Sequence, residues 1–492
     1  MASLAENLIR LQEAKEDIAD AIIEMGGTAS STDGLEDMPD AIRTIQANPT
    51  LITKSITANG TYDASDDSAD GYSEVTVAVP ETYVLLFVTT ETGVTITVSK
   101  GGITLPTQTC EAGEELVFNI PESGTWTVSG SNNVTDTVSI SEQGLYYTEI
   151  IVAHTYGVIW DKSSSTILTR TDDAASFSDP NPYYAGMSGS PSSPFDNLMP
   201  WSGMIKETVD GNVFVKIPKF WYKITNTSSS LSIQISDKAQ TGFKVSPAHR
   251  AFNTSDTEKD FVYVGRYKCN SSYGSTTGQY PKTSINITQA RIGCKAIGNG
   301  KSYQTMQMDF ATFWTIRMLY LVEFANWNSQ DCIGYGCSPS GAIVPTGYTD
   351  SMTYHTGTDR SSRTTYGGTQ YRWIEGLWDN AVEWCDGIRF DYANVIVYND
   401  PANYSDDSST GAVIIGSRST SSGYTGDFFT PSNSDFDWAL YPNYTYNGAY
   451  YNSYLCDYCS YSEDGVLYVG GGYSKSLSWG LFCLYNVSTS YS

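Results

Sequence analysis

Charged residues are scarce in this sequence, and basic residues are the scarcer kind. Only 17% of the 492 residues are charged, and 28 Lys and Arg face 54 Asp and Glu, which gives a formal net charge of -26. Such an excess of negative charge repels phosphate backbones and anionic lipid surfaces. We therefore expect no nucleic acid among the partners, and the chain depends on Ser, Thr, Asn and Gly for its solubility.

Long apolar runs are also absent. No segment approaches the roughly 20 apolar residues that span a bilayer, and the start Met1–Glu6 lacks the basic and then apolar pattern of a signal peptide. We therefore expect no membrane insertion, and synthesis in a host cytoplasm without secretion. The surface composition is nonetheless typical of extracellular proteins, and a virion component released by lysis satisfies both expectations.

Histidine is nearly absent, and cysteine is present in an odd number. The nine cysteines do not form a disulfide framework, and only three histidines exist. Cys332 with Cys337, and Cys456 with Cys459, have the spacing of metal-ligand pairs, but no histidine lies at ligand spacing to them. We expect no metal, no cofactor and reduced, buried thiols.

The N-terminal segment, residues 1–48, has a helical pattern. Ser3 and Glu6 form a capping box, and apolar residues follow at spacings of three and four as far as Met25. Two interpretations stay open: an amphipathic helix packed on its own chain, or a short trimerising and tail-attachment segment.

Strand patterns dominate the rest of the chain. Residues 49–81 predict a small β connector, where Val75, Val77 and Val79 alternate with polar residues. Residues 82–152 carry short alternating runs separated by turn signals, which predict a small Ig-like β-sandwich that acts as a spacer. Residues 153–492 predict short strands and irregular loops, with one helix over 309–324. The fold class is therefore mainly β.

The segment Ile374–Gly387 resembles the Gly-Asn-Val-Trp-Glu-Trp segment of C-type lectin-like folds related to formylglycine-generating enzymes. In such a fold Trp378 and Trp384 supply core, while Asn380 and Glu383 bond buried loop backbone. A calcium site that uses Glu383 or Asp386 is the alternative. The resemblance implies a C-type lectin-like α+β domain over residues 153–492.

The segment from Tyr468 onward resembles the variable region of proteins diversified by retroelements, and segments 156–161, 195–201 and 213–222 resemble the tail-protein branch of that family. The resemblance implies a fixed frame made of Val469, Gly470, Gly471, Gly480, Leu481 and Phe482. It places the ligand-binding positions at Tyr473, Ser474, Lys475, Ser476, Ser478, Trp479, Tyr485, Asn486, Ser488, Ser490 and Tyr491.

Composition points to the same surface independently. Residues 438–492 hold 12 of the 36 tyrosines and only four charged residues. Tyrosine among Ser, Asn and Gly is the composition of antibody paratopes, because its ring gives rigid contact area and the small residues adapt the hydrogen bonding. The segment therefore predicts a ligand-binding surface.

The expected protein is a phage tail receptor-binding protein, an adhesin and not an enzyme. We expect it to bind a bacterial surface protein or glycan, to contact tail or baseplate proteins through its N-terminus, and to act in the virion as a homotrimer. A tail-associated glycan-degrading enzyme and a purely structural tail subunit are the alternatives.

Overall fold

The chain divides into two compact units. Unit 1 comprises Met1–His154 with Lys238–Thr241, and unit 2 comprises Thr155–Asp237 with Gly242–Ser492. The helical pattern predicted for residues 1–48 lies outside the described residues. The computed structural model describes residues 52–56, 60–63, 74–77, 83–89, 93–111, 115–130, 135–150, 153–163, 166–184, 192–252, 257–336, 341–352, 355–362, 364–365, 367–446, 455, 457–462, 464–473 and 479–488.

Strands account for 39% of the structure and helices for 11%, so the protein is mainly β, as the sequence predicts. The strands of unit 1 are β1 Ile52–Ile56, β2 Gly60–Asp63, β3 Glu74–Val77, β4 Tyr83–Thr89, β5 Val94–Lys100, β6 Ile103–Thr104, β7 Gln108–Cys110, β8 Glu115–Ile120, β9 Gly124–Gly130, β10 Thr135–Ile140 and β11 Gly144–Ile150.

Unit 1 contains a β-sandwich. One sheet has the order β1-β11-β4-β8, and the other has the order β10-β9-β5-β6, with β7 also paired to β5. Alternate residues of both sheets meet in one core, in which Phe87 packs edge-on against Phe118 and Trp126 is fully buried. In β5 and β8 every second residue is buried, so each sheet has one apolar face, and the two apolar faces pack against each other.

Strand β1 lies in the segment that the sequence assigns to a separate connector. It pairs with β11, antiparallel, along its whole length from Ile52 to Ile56. Residues 52–56 are thus part of the sandwich, and only β2 and β3 form a hairpin of their own.

Unit 2 contains 20 strands in four sheets and three α-helices among its described residues. Its strands are β12 Thr155–Asp161, β13 Thr169–Asp172, β14 Tyr183–Tyr184, β15 Ile205–Val209, β16 Asn212–Pro218, β17 Trp221–Asn226, β18 Ser230–Ser236, β19 Lys244–Val245, β20 Phe261–Gly265, β21 Gly357–Thr358, β22 Thr369–Tyr371, β23 Ile374–Glu375, β24 Glu383–Asp391, β25 Asn394–Tyr398, β26 Ala412–Ser417, β27 Gly423–Phe428, β28 Pro442–Tyr446, β29 Tyr458–Ser460, β30 Asp464–Val469 and β31 Leu484–Val487. Its helices are α1 Ile287–Ile297, α2 Phe310–Phe324 and α3 Ser329–Cys332.

Helix α2 is the centre of the unit 2 core. The Asp309 carboxylate caps it by accepting from the Thr312 N–H at 2.8 Å. Residues on every side of the helix are buried, because it packs against β12 and β18 on one side and β24 on another. The predicted helix over 309–324 is confirmed, and its burial on all sides explains why apolar residues occur around the whole helix, with Arg317 and Glu323 bonded inside the core.

Helix α1 was not predicted from the sequence, which led us to expect only the helix at 309–324. It begins with a capping box, in which Asn286 accepts from the Gln289 N–H and the Gln289 side chain accepts from the Asn286 N–H. Of its residues, Ile287 and Ala290 are buried. This short apolar stripe is too weak a periodic signal to identify the helix.

The C-terminal half of unit 2 forms an eight-stranded sheet with the order β26-β25-β24-β30-β31-β29-β27-β28. All neighbouring strands are antiparallel except β29 and β31, which are parallel. Its inner face, with Leu467 and Leu484, joins the core around α2, while α1 packs on the outer face at β24.

The three upstream segments that resemble tail proteins meet inside unit 2. Tyr156 of β12 packs against Phe195 and Trp201, with ring centroids 5.9 Å and 5.4 Å away. Val215 and Ile217 of β16 join the same core. These segments are therefore core elements of the unit that carries the C-terminal sheet.

Candidate ligand-binding face

An aromatic row crosses the outer face of the eight-stranded sheet. Residues paired directly across strands point to the same face, and Trp384 pairs with Tyr468, which pairs with Tyr485. Tyr485 also pairs with Ser460, two residues from Tyr458 on the same face of β29. We define the aromatic row by its six members, Trp384, Tyr468, Tyr485, Tyr458, Tyr424 and Tyr446.

The second half of the row follows the same rule. Tyr424 of β27 pairs with Tyr458 on one side and with Tyr446 of β28 on the other. The Tyr424 and Tyr458 rings meet edge-on, with centroids 5.7 Å apart. Tyr444, two residues before Tyr446, adds a further ring on that face of β28. The adjacent strands β29, β27 and β28 therefore each place a tyrosine directly beside the tyrosine of the neighbouring strand.

The two ends of the row differ in exposure. The rings of Trp384 and Tyr468 are tilted against each other with centroids 3.9 Å apart, and each residue is 8% exposed. Both pack with Ile287 of α1. At the other end Tyr446 is 37% exposed and Tyr444 is 52% exposed. Helix α1 thus covers the β24 end, whereas the tyrosines from β31 to β28 are half-buried or exposed.

The segment Gly480–Phe482 forms a rigid frame beside the row. Both carboxylate oxygens of Asp457 accept backbone N–H groups, one from Gly480 and one from Phe482, each at 2.7 Å. Ser329 Oγ accepts the Leu481 N–H at 2.9 Å. Burial raises the pKa of Asp457 to about 6, and the two N–H bonds oppose that rise.

Arg317 completes this frame from helix α2. Its guanidinium is fully buried and donates through Nε and Nη2 to the Leu481 carbonyl, at 3.1 Å and 2.6 Å. The same group lies over the Phe313 ring, 3.1 Å from its centroid. Burial lowers the pKa of Arg317, and neighbouring acidic groups such as Asp457 oppose that decrease. Helix α2 therefore fixes the chain just before β31.

Glycines fix the other side of the frame. Gly470 has a φ of +71°, and a Cβ at this position would lie 2.2 Å from the Leu377 carbonyl oxygen. A Cβ on Gly471 would lie 2.3 Å from the Trp479 carbonyl oxygen. Only glycine allows these two stretches of backbone to approach so closely. All six residues predicted to form a fixed frame, from Val469 to Phe482, are buried.

Of the predicted ligand-binding positions, four described ones reach the surface. Tyr473 is 37% exposed, and its N–H donates to the Asn380 carbonyl. Trp479 and Tyr485 are half-buried and stack with centroids 5.1 Å apart, and Ser488 is exposed. Positions Ser474, Lys475, Ser476, Ser478, Ser490 and Tyr491 lie outside the described residues.

Asn486 is a correction to the predicted set. It is 3% exposed; its Oδ1 accepts the Ser462 N–H at 2.9 Å, and its amide nitrogen donates to the Val466 carbonyl. Neighbouring residues of a strand point to opposite faces, so Tyr485 on the outer face places Asn486 on the inner face. Asn486 holds the sheet together and does not line the candidate surface.

A cavity of about 490 Å³ lies at the covered end of the row. Its walls include Trp384 and Tyr468 of the row, Tyr473 beside it, and Cys269 and Cys294. Glu383 also lines it, and its carboxylate pairs with Lys268 Nζ at 3.0 Å. The expectation that Glu383 bonds loop backbone is therefore wrong, since its described partner is an ammonium group.

The other roles predicted around Ile374–Gly387 have mixed outcomes. As expected, Asn380 bonds both backbone groups of Val344, at 3.0 Å and 2.9 Å, and Trp378 is buried in the core. Asp386, the alternative calcium ligand, pairs with Arg291 at 2.6 Å and 2.9 Å. Among the described residues, no three His, Cys, Asp or Glu side chains converge as a metal site requires.

A second cavity, of about 290 Å³, holds two carboxyl groups with raised pKa values. Burial raises the pKa of Asp379 to about 7 and that of Asp359 to about 6. Asp379 accepts the Tyr348 hydroxyl at 2.5 Å and the Thr369 N–H at 2.6 Å. Both oxygens of Asp379 therefore hold the surrounding loops.

Of the six row members, only Tyr485 was among the predicted ligand-binding positions. Tyr446, Tyr458 and Tyr468 lie in the predicted surface segment 438–492, and Tyr424 precedes it. Trp384 was predicted to supply core, and it is buried. Cross-strand register brings Tyr424 into line with Tyr485, and register between distant strands is not readable from one sequence. A local signal for a strand at this position is the short run of Tyr424 and Thr425 between Gly423 and Gly426.

Comparisons with known proteins add no assignment. None of the helices in the described residues has the length and apolar character needed to cross a bilayer. The sequence matches no protein-family model and no curated protein.

Proposed function

We propose that the protein is the receptor-binding protein of a phage tail, and that it binds a bacterial surface ligand through the aromatic row and the adjoining Tyr473 and Trp479. The observation that carries the proposal is the register of the row, which aligns tyrosines of β31, β29, β27 and β28 on one partly exposed face. A structural subunit has no need of such an alignment.

The physical basis is a rigid display of amphipathic rings. A tyrosine has few rotatable bonds, so ordering it on binding costs little conformational entropy, and its hydroxyl supplies a polar tip. The frame held by Asp457, Ser329 and Arg317 fixes the backbone before binding. Preorganisation of this kind favours affinity because less freedom is lost when the ligand binds.

The remaining parts of the proposal come from the sequence. They are a C-type lectin-like fold for unit 2, diversification of the C-terminal positions by a retroelement, a homotrimer attached to the tail or baseplate by the N-terminal segment, and location in the virion. Several copies per virion would add avidity to each weak contact. The ligand is a bacterial surface protein or glycan.

The test is binding of the fluorescently labelled full-length protein to a panel of bacterial strains, measured by flow cytometry. In a strain that binds, the triple variant Tyr446→Ala, Tyr458→Ala and Tyr485→Ala should lose affinity by roughly 100-fold, at about 1 kcal/mol for each truncated ring.

A matched control truncates exposed tyrosines elsewhere. Tyr280 and Tyr392 are 63% and 60% exposed and lie outside the row, so Tyr280→Ala with Tyr392→Ala should bind like the wild type. Unchanged binding by the triple variant, with an unchanged melting temperature, would refute the proposal. Equal loss in both variants would show that the effect is not specific to the row.

The second candidate function is glycan cleavage, and the observation that favours it is the pair of raised-pKa carboxyl groups, Asp359 and Asp379, on one cavity. A glycosidase needs a protonated acid beside a second carboxylate. Incubation with host polysaccharide and an assay of new reducing ends would detect cleavage. An Asp359→Asn variant that retains cleavage would exclude this cavity.

A further inference from the structure

Two cysteine thiols of unit 2 are neighbours on the wall of one cavity. Cys269 follows β20 and Cys294 lies in the third turn of α1, and each thiol is close enough to the other to shift its pKa. Both are reduced and half-buried. Both line the 490 Å³ cavity, so small solutes can reach them.

The backbone around each thiol is held in place. The Cys269 carbonyl accepts the Lys282 N–H at 2.8 Å, and the Cys294 carbonyl accepts the Thr305 hydroxyl at 2.7 Å. The Tyr273 ring packs directly on Gly293, where an added Cβ would overlap it at 2.1 Å. The fold therefore fixes the backbone that carries each thiol, although the two residues are far apart in sequence.

We propose that Cys269 and Cys294 are a disulfide-forming site, which is oxidised when the protein leaves a reducing cytoplasm, with a low-molecular-weight disulfide such as oxidised glutathione as the oxidant. This proposal rests on the proposed release from the host cytoplasm, and it does not depend on the proposed ligand. It assigns a covalent link between α1 and the segment after β20, across the wall of the cavity.

The reaction is two thiol–disulfide exchanges. The Cys269 thiolate attacks one sulfur of oxidised glutathione, which forms a mixed disulfide and releases one glutathione thiolate. The Cys294 thiol then loses its proton and attacks the Cys269 sulfur, which forms the Cys269–Cys294 bond and releases the second glutathione. Two protein thiols are oxidised by two electrons, one glutathione disulfide is reduced, and the two protons finish on the two glutathiones.

The surroundings favour Cys269 as the attacking thiol. The hydrogen bond from Cys294 lowers the pKa of Cys269, and the neighbouring Lys268 ammonium acts in the same direction, against burial and the charge of Glu383. The same hydrogen bond raises the pKa of Cys294. A thiol with a lowered pKa and solvent access is the reactive kind. By contrast, Cys385 and Cys459 are buried and bond to oxygen atoms.

The test uses the full-length protein, reduced, freed of reductant, incubated with oxidised glutathione, alkylated and digested with trypsin under non-reducing conditions. The expected product is the peptide Cys269–Lys282 linked to the peptide Ile292–Lys295. The melting temperature should rise by roughly 5–10 °C on oxidation, because the link restricts the unfolded chain.

Two variants sharpen the result. Cys294→Ser removes the resolving thiol and should trap glutathione on Cys269, whereas the control Cys385→Ser should keep the cross-link. Recovery of Cys269 and Cys294 as separate alkylated peptides from the oxidised wild type would overturn the proposal. Cross-linking of either residue to another cysteine would also overturn it.

Discussion

Replacement of Gly470 by Ala tests whether the frame is set by close backbone approach. Gly470 directly follows β30, where the chain turns toward Tyr473, and its φ is +71°. The added methyl group would lie 2.2 Å from the Leu377 carbonyl oxygen and 3.3 Å from the Trp378 Cα, both of them backbone atoms. Backbone cannot move aside as a flexible side chain does, so the frame itself must shift.

The expected cost has two parts. An alanine in the left-handed region costs about 1–2 kcal/mol, and overfilling a packed site costs about 1–3 kcal/mol more. Gly211 separates the two parts, because its φ is +78° and an added Cβ would meet no atom within 4 Å. Gly211→Ala should therefore lose only the first part, and Gly470→Ala should lose about 2–5 kcal/mol in total.

The assay is urea unfolding followed by tryptophan fluorescence, which reports unit 2 because every tryptophan except Trp126 lies there. The difference between the two variants measures the steric part alone. A difference below about 0.5 kcal/mol, the usual range for surface substitutions, would show that Leu377 does not constrain Gly470, and the account of the frame would be wrong.

Two further predictions concern buried titratable groups in unit 2. Glu323 is fully buried and accepts from Arg372 Nε and the Tyr371 hydroxyl, each at 3.0 Å. Glu323→Gln should lower the free energy of unfolding by about 3 kcal/mol, because Arg372 loses its fully buried partner and keeps only Asp196, whose Oδ1 lies 2.9 Å from Arg372 Nη1. A loss below about 1 kcal/mol in urea unfolding would contradict this. Burial lowers the pKa of His249 to about 4, so the unfolded state binds the extra proton and stability should fall by about 3 kcal/mol as pH drops from 6.5 to 4. Unfolding measured against pH should show a flatter slope in His249→Gln, and an unchanged slope would refute the assignment.

Local patterns in the sequence were sufficient to predict the β-sandwich of unit 1 and helix α2 of unit 2. Alternation in β5 and β8 predicted the sandwich, and helical spacing on one face from Phe310 to Leu321 predicted α2. In both cases the physical cause is short-range, because it is the period of the side chains along one element. The six residues that the resemblance assigns to a fixed frame, from Val469 to Phe482, are buried, but no local pattern predicted their burial.

The parts that escaped prediction depend on long-range pairing. The face of β31 decides that Tyr485 points outward and Asn486 inward, and this follows from pairing with β30 and β29. Tyr424 joins the row only through its partners on β28 and β29. The thiol pair Cys269 and Cys294 likewise depends on where α1 packs. No local pattern contains this information.

Strand β31 is translated after the other seven strands of its sheet, yet it lies between β30 and β29. During synthesis the sheet therefore exists as two groups of strands, β26-β25-β24-β30 and β29-β27-β28. Each group has an unpaired edge until β31 is made, and unpaired edges promote aggregation. Assembly of the sheet is expected only after residues 484–487 have left the exit tunnel. A nascent chain stalled before them should associate with a chaperone rather than fold.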